Sequence, residues 1–317
     1  RHKGRVFSKT DREYFQNPLY RSESAEAKLE TMEPELGRTR DRANILEDSH
    51  RIIQEELANE QQFNLSLNAD LSRERGHRKF LEDLPASLPA RPKALLVISG
   101  HWEERVFTLQ TNPAPPLLFD YQGFPQHTYQ LTWPAPGEPA LATRVRALLE
   151  DAGFQTGADA ARGFDHGVFV PLKVAFPEAD IPTVQLSLRD DLDPEAHLAV
   201  GRALAPLRDE GVLIIGSGNT YHNMGKMMRA MRGGPDGPVN GGDFDRWLTS
   251  AVTHEDPAVR HAMLAEWDQA PGARDANPRE EHLIPLHVVA GAALADRGEK
   301  TLEDHVLGAV ESAFRFG

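Results

Sequence analysis

The chain has 317 residues, no cysteine and a formal net charge of −13, from 35 basic and 48 acidic side chains. The absence of cysteine excludes a disulfide framework, a thiolate metal site and a cysteine nucleophile. The acidic excess argues against nucleic acid or an anionic membrane surface as a partner, because both bind through Lys and Arg. No apolar run reaches the roughly 18 residues of a membrane span, and the N-terminal residues lack the apolar stretch of a secretory signal. A soluble, cytoplasmic protein is therefore expected.

The net charge is unevenly distributed along the chain. Residues 1–93 carry 17 basic and 17 acidic side chains, whereas residues 94–317 carry 18 and 31. All of the net charge therefore belongs to the second region, which also differs from the first in its pattern of apolar residues.

The first 62 residues predict an atypical extension. Residues 21–62 are polar and poor in glycine, and seven of the ten positions in their heptad seam are apolar, which indicates a helix. This helix either pairs with another helix, so that the protein self-associates through 21–62, or is an ordinary amphipathic or partly disordered extension. Residues 1–20 show no period and are expected to be disordered. We therefore predict a helical or disordered extension over 1–62 and a separate domain over 63–317.

From residue 63 onward, Pro and Gly separate short apolar runs. Residues 94–99 form a continuous apolar run typical of a strand buried on both faces. Residues 184–188 alternate between apolar and polar side chains, and residues 211–216 form a second apolar run. Between the last two strands, a helix is predicted to begin with Asp193 as its cap and Pro194 at its first position, and to end at Gly211. A strand, a capped helix and a strand indicate an α/β fold with a central, mostly parallel sheet flanked by helices.

Two of the predicted strands run into short segments that contain a histidine. His101 follows the strand at 94–99, and His222 follows the strand at 211–216. Ligands of open α/β sheets bind beyond the carboxyl ends of the strands, and neutral imidazole is a common metal ligand. The two residues are therefore candidates for one metal site. The alternative is that each is a surface histidine without a partner.

Two further histidines lie in distinctive local sequence. His166 has Gly163 and Gly167 on either side, so the backbone can turn tightly and another group can approach the imidazole. Histidine is also the side chain most often used for acid/base catalysis near neutral pH. His282 precedes an apolar helical run, which places it near a helix N-terminus with its side chain free to face a cleft. His287 is five residues further on and is assigned to the core or the helix surface.

Several common catalytic signatures are absent. The chain has no His-Glu-x-x-His, no Gly-x-Ser-x-Gly and no phosphate-binding Gly-x-x-x-x-Gly-Lys-Ser/Thr motif. Residues 121–129, which include His127, are rich in turn formers and could line a pocket together with Phe124, Tyr129 and Trp133.

Six sequence blocks in order resemble the class III extradiol ring-cleavage dioxygenases, and within them the DOPA 4,5-dioxygenase-like branch. The blocks are Ser99-Gly-His-Trp-Glu103, Gly123-Phe-Pro125 followed by Trp133-Pro-Ala-Pro-Gly137, Gly163-Phe-Asp-His-Gly167, Asp180-Ile-Pro-Thr-Val-Gln-Leu-Ser187, Ser217-Gly-Asn219 with His222-Asn223, and Glu281-His282 with Pro285-Leu286. The resemblance covers roughly residues 63–317 and implies an α/β sandwich around a central sheet.

The resemblance also implies a site and a reaction. His101, His222 and His282 would bind one Fe(II) or Zn(II) per chain, and His166 would be the acid/base or substrate-contacting residue. The roles of His166 and His222 could be exchanged, because related enzymes use the histidine of the latter block as the base. The implied partners are a small-molecule catechol, such as DOPA or another aromatic diol, and O2. The implied product is a ring-opened semialdehyde.

One departure from the family pattern concerns the metal. The family begins with a strand that ends in His-Gly-x-Pro, whose histidine is a ligand, and this chain has no such motif; polar residues 57–62 stand where the strand is expected. We hypothesise that the first ~62 residues replace that strand, through gene fusion, altered splicing or a mistaken gene model, and that activity is impaired. Alternatively, Glu60, Asn64 or His77 substitutes as the ligand.

Two other function classes remain open at the level of sequence. One is a non-catalytic scaffold or signalling protein of the Memo type, with the N-terminal helix as a partner-binding element. The other is a zinc-dependent hydrolase that uses the same histidines, although no Glu base is evident beside a paired-histidine motif.

Overall fold

The computed structural model describes residues 75–232, 239, 241–306 and 309–317. All of them fall in the second of the two units into which the chain divides, Ser66–Gly317. The predicted helix at 21–62, self-association through it, the domain boundary at 62/63 and the residues Glu60 and Asn64 lie outside the described residues and stay predictions. Within the described ranges, no helix is long and apolar enough to cross a membrane.

Helices and strands alternate through most of the described chain. In chain order they are α1 (Arg75–Ser87), β1 (Ala94–Glu104), β2 (Phe107–Gln110), α2 (Pro139–Asp151), β3 (Thr156–Asp159), α3 (His166–Ala175), β4 (Thr183–Arg189), α4 (Pro194–Leu204), α5 (Pro206–Asp209), β5 (Val212–Ser217), α6 (Met224–Met231), α7 (Gly242–Val252), α8 (Pro257–Ala265), α9 (Ala273–Ala276), α10 (Ile284–Ala292), β6 (Gly298–Val306) and β7 (Ala309–Phe316), with 3-10 turns at Gln126–Gln130 and Trp267–Gln269.

Five strands form the central sheet, in the order β3-β2-β4-β1-β5. β1 is parallel to both of its neighbours, and β2 is parallel to β3, while β2 meets β4 in an antiparallel bridge. β6 and β7 form a separate antiparallel hairpin. The predicted α/β fold with a mostly parallel sheet is confirmed.

Strand β1 occupies an inner position of the sheet because both of its faces are apolar. Leu95 and Val97 pack on one face, in a core that includes residues of α3. Leu96 and Ile98 pack on the other, against residues of α2, α4 and α10. All four side chains are buried. The predicted strand with two buried faces is confirmed, and it continues to Glu104, so that His101 lies within the strand.

Two element predictions need correction. Strand β5 lies at an edge of the described sheet, so residues 213–215 are only half-buried, and the apolar run at 211–216 does not mark a fully buried strand. Asp193 caps α4 as predicted, its carboxylate accepting from the Glu195 backbone N–H at 3.1 Å. The helix ends at Leu204, however, and a short second helix begins at Pro206, whose ring nitrogen has no N–H to donate to the preceding turn.

Trp133 belongs to the core and not to a pocket. It is buried, and its indole N–H donates to the Phe176 carbonyl at 2.9 Å. The expectation that Trp133 lines a pocket beside residues 121–129 was therefore wrong, because its side chain is buried in the same apolar core as Leu95 and Val97.

Candidate metal centre

The structure brings the four candidate histidines together at one end of the central sheet. The ring centroids of His101 and His166 are 3.9 Å apart, those of His101 and His282 are 4.7 Å apart, and the rings of His222 and His282 stack at 3.4 Å. His101 comes from β1, His166 begins α3, His222 lies in the loop after β5 and His282 lies just before α10. Four separate segments thus converge on one cluster.

The sheet and two glycines explain how these segments approach one another. β1 and β5 are parallel neighbours in register as far as Ser99 and Ser217, so both chains leave the sheet at the same edge. A Cβ on Gly218 would lie 2.0 Å from the His282 carbonyl oxygen, and one on Gly167 would lie 2.8 Å from Cδ2 of His101. Only glycine allows these contacts at the observed spacing.

Glu281 holds two of the imidazoles through one carboxylate oxygen. His282 Nδ1 donates to Glu281 Oε1 at 3.0 Å, and His222 Nδ1 lies 3.3 Å from the same atom. A proton on Nδ1 leaves Nε2 with the lone pair, which is the tautomer that a metal-binding histidine held by a carboxylate adopts. Among the described residues, Nε2 of His282 and Oε2 of Glu281 are buried and have no hydrogen-bond partner.

The electrostatics of the cluster favour the neutral imidazoles of His101 and His282 and the ionised carboxylate of Glu281. Burial, with the nearby His166 and His282, lowers the pKa of His101 to about 4. Burial also lowers the pKa of His282, although Glu281 opposes the shift. Burial opposes ionisation of Glu281, but hydrogen bonds from His222 and His282 outweigh it and hold the pKa of that carboxyl below its usual value. Neutral imidazole and carboxylate are the forms that bind metals.

His166 has a carboxylate partner of its own, Asp120. Asp120 Oδ1 accepts from His166 Nδ1 at 2.7 Å and from its backbone N–H at 3.1 Å. Burial raises the pKa of the Asp120 carboxyl, but the bonds from His166 more than reverse this and leave the pKa below its ordinary value. The pair resembles the carboxylate–imidazole arrangement of general bases, in which the acid fixes the tautomer and orientation of the ring.

Asp165, next to His166 in the sequence, points elsewhere. It is fully buried, and it accepts from Ser99 Oγ at 2.8 Å, from Arg162 at 3.0 Å and from Gln185. Asp165 thus ties α3 to β1 and β4 and leaves His166 to Asp120. The sequence offers no signal for Asp120, which lies 46 residues before His166.

The donors present fit a metal ion. Two groups each offer three ligand atoms within 4.8 Å of one another, His101 with Asp120 and His166, and His222 with Glu281 and His282. Imidazole and carboxylate donors suit Zn and Fe, and two histidines with one carboxylate are typical of non-haem Fe(II) oxygenases. The buried, unpaired Nε2 of His282 is the observation that most directly calls for a cation.

The remaining histidines named from the sequence lie outside this cluster. His77 Nδ1 contacts Asp304 of β6 at 3.0 Å, and His77 belongs to neither group of metal donors, so the structure does not support it as a substitute ligand. His287 is fully buried and its Nε2 bonds to the Leu264 carbonyl at 2.9 Å, which confirms its assignment to the core. His127 is exposed on the 3-10 turn.

Comparisons with known proteins give a consistent result. Residues 72–314 match the family described as the catalytic LigB subunit of aromatic ring-opening dioxygenase. A "4,5-DOPA dioxygenase extradiol" of Beta vulgaris is 41% identical over 225 residues, which cover 68% of this chain and 79% of that protein. A protein of the same description from Escherichia coli K12 is 37% identical, covering 67% and 76%. "Dioxygenase tasH" of Hapsidospora irregularis is 37% identical, covering 74% and 77%.

A solved structure shows the same architecture. The crystal structure of an uncharacterised protein from Escherichia coli K12 matches with a TM-score of 0.61 and 30% sequence identity. The match covers 75% of this chain and 90% of that one. The family match contains all four histidines of the cluster, while residues 1–71 lie outside it.

Proposed function

Because the chain belongs to the family of the catalytic LigB subunit of aromatic ring-opening dioxygenase, and is an extradiol ring-opening dioxygenase, we propose that it opens a catechol at one metal bound by His101, His222 and His282. The observation that carries this proposal is the buried Nε2 of His282, which lacks a partner within the described residues. Glu281 orients His222 and His282 through Oε1, while its second oxygen, Oε2, lies 3.5 Å from a guanidinium nitrogen of Arg279.

The metal is proposed to be Fe(II) in the active enzyme, with Zn(II) able to occupy the same donors. When bound, Fe(II) would hold the two catechol oxygens and supply the redox chemistry toward O2 that side chains lack. The carboxylate of Glu281 offsets part of the metal charge. The chain has no cysteine, and imidazole and carboxylate donors make thiolate unnecessary.

His166 is proposed to be the general base. Asp120 holds its Nδ1 proton, so Nε2 is the nitrogen able to take a proton from a phenolic oxygen. Asp120 stabilises the imidazolium that results. In the exchanged assignment, His222 would be the base and His166 would contact the substrate. The structure favours it less, because His222 shares the Glu281 carboxylate oxygen with His282.

The overall reaction consumes one catechol and one O2. Both oxygen atoms enter the product, the ring bond beside the diol breaks, and a yellow semialdehyde forms. The class of substrate is a small aromatic diol, in agreement with the names of the relatives; DOPA and protocatechuate are the diols to test first.

The test combines metal analysis with an O2-electrode assay. We expect about one Fe or Zn per chain, and O2 uptake with a yellow product when DOPA, protocatechuate or catechol is added to Fe(II)-loaded protein. His282→Ala should lose both, whereas His305→Ala, an exposed histidine of β6, should lose neither. Protein that carries one metal and still cleaves no diol would overturn the proposed reaction. Protein that neither binds metal nor cleaves a diol would overturn it as well, and would match the loss of activity hypothesised from the missing His-Gly-x-Pro motif.

A further inference from the structure

Four aromatic side chains form a row beside the pair Asp120–His166. They belong to the segment after β2 and to the 3-10 turn at Gln126–Gln130. We call them the aromatic wall: Phe119, Tyr121, Phe124 and Tyr129. Tyr121 stands edge-on to the His166 imidazole, with the ring centroids 5.6 Å apart. Phe124 and Tyr129 contact Tyr121 in turn, with centroids 5.3 and 5.2 Å away. The row therefore begins at the proposed general base.

The outer end of the aromatic wall is open. Phe124 is 51% exposed, the highest value among the large apolar side chains of the described residues. It follows Gly123, whose backbone has a φ of +80° and around which a Cβ would meet nothing within 4 Å. A phenyl ring left in water beside a catalytic cluster indicates a surface that a ligand covers.

The aromatic wall presents apolar surface and few polar groups. The Tyr121 hydroxyl donates to the Thr128 carbonyl at 2.7 Å, and the Tyr129 hydroxyl donates to the Tyr121 carbonyl at 3.4 Å. Both hydroxyl protons are thus used to hold the segment in place. The rings themselves remain for contact with a ligand.

Charges in this region disfavour an anionic ring substituent. The Asp120 carboxylate lies at the inner end of the aromatic wall, and Glu281 lies within the histidine cluster. Three cations enter the described contacts of the region. Arg162 pairs with Asp165 at 3.0 Å, and Arg279 pairs with Glu103 through two hydrogen bonds and with Glu281 at 3.5 Å. The Lys173 ammonium donates to the Thr132 carbonyl at 2.7 Å. A carboxylate on the substrate would have to compete with these partners.

From these observations we infer that the aromatic wall is a subsite for an apolar substituent on the catechol ring, and that the preferred substrates are alkyl- or aryl-substituted catechols. This inference rests on the proposed function, since it takes His166 as the base that accepts a proton from the bound diol. A catechol that carries a carboxylate is a poorer substrate, because the described residues at this subsite offer it aromatic faces and a neighbouring carboxylate.

The test compares catechol, 4-methylcatechol, 4-ethylcatechol, protocatechuate and DOPA as substrates of Fe(II)-loaded protein. We expect kcat/KM to rise by up to about fourfold for each added methyl or methylene group, the size expected for burying that group. Phe124→Ala should bring the ratio between 4-ethylcatechol and catechol close to one. Val259→Ala, an exposed apolar residue of α8 outside the aromatic wall, is the matched control and should keep the ratio.

Anaerobic calorimetry makes the same comparison without turnover. Binding of 4-ethylcatechol should be tighter than binding of catechol in the parent protein, and Phe124→Ala should remove the difference. A higher kcat/KM for protocatechuate or DOPA than for 4-ethylcatechol, or a ratio unchanged by Phe124→Ala in both assays, would overturn the inference. Absence of O2 uptake with every diol would instead refute the proposed function, and the calorimetric ratios would still decide the role of the aromatic wall.

Discussion

Replacing Asp120 by Asn tests whether a carboxylate holds the proposed base. Asp120 Oδ1 accepts two hydrogen bonds from His166, one of them from Nδ1 at 2.7 Å. The substitution keeps the shape but removes the charge that stabilises an imidazolium. A hydrogen bond to a charged group contributes about 1.5–3 kcal/mol, against about 0.5–1.5 kcal/mol for a neutral one. A loss of roughly 1–2 kcal/mol lowers kcat by about 5- to 30-fold.

The assay is the rate of catechol cleavage by Asp120→Asn over a range of pH, with the metal content measured on the same samples. KM and metal content should stay near the parent values, because the carboxylate acts on the base and not on the metal. Asp83→Asn, an exposed carboxylate of α1, is the matched control and should behave like the parent. A kcat within twofold of the parent would refute the reasoning, and a loss of metal would show that Asp120 is itself a ligand.

Three further predictions follow from the described contacts. His282→Ala should lower the bound metal well below one equivalent, measured by elemental analysis, because it removes the buried donor held by Glu281; full occupancy would contradict its role. Gly167→Ala should lower metal content and the melting temperature, with a cost of about 1–3 kcal/mol, because the added methyl would lie 2.8 Å from His101 Cδ2. Gly225→Ala in α6, where the nearest atom is 3.4 Å away, is its control. Glu311→Gln should raise thermal stability at pH 8.5 by more than at pH 5. Burial, with the charge of Asp304, raises the pKa of Glu311 to about 8 from 4.5, so the parent loses stability as pH rises between these values; equal shifts at both pH values would rule this out.

The parts of the site that the sequence predicted depend on local patterns. An apolar run that ends in a polar turn marks the carboxyl end of a buried strand, and this rule was sufficient to single out His101 and His222. His282 was marked by the apolar helix that follows it, and His166 by its flanking glycines. The structure brings all four into one cluster, and the contact of Gly167 with His101 gives the physical reason for a small residue there.

The parts that the sequence did not predict depend on pairing between distant segments. Asp120 reaches His166 because the segment after β2 runs beside the one before α3, where Leu117 pairs with Phe164 in a parallel bridge. No local sequence feature marks Asp120, and not Asp165, as the partner of His166. Asp165 is closer in sequence, but its carboxylate accepts hydrogen bonds from Ser99 and Arg162 instead. The break in the predicted helix at Pro206, by contrast, could have been predicted from the sequence, because proline has no N–H to continue the helical hydrogen bonds.

The most direct test of the account is the stoichiometry of O2 uptake against catechol loss, measured on protein loaded with one Fe(II) per chain and on His282→Ala in the same buffer. The account predicts that the parent consumes one O2 for each catechol lost and accumulates a yellow semialdehyde, and that His282→Ala does neither above the rate of Fe(II) alone. Metal-loaded parent protein that consumes no O2 with any catechol would contradict the proposed activity. Equal rates in the parent and in His282→Ala would contradict the proposed site.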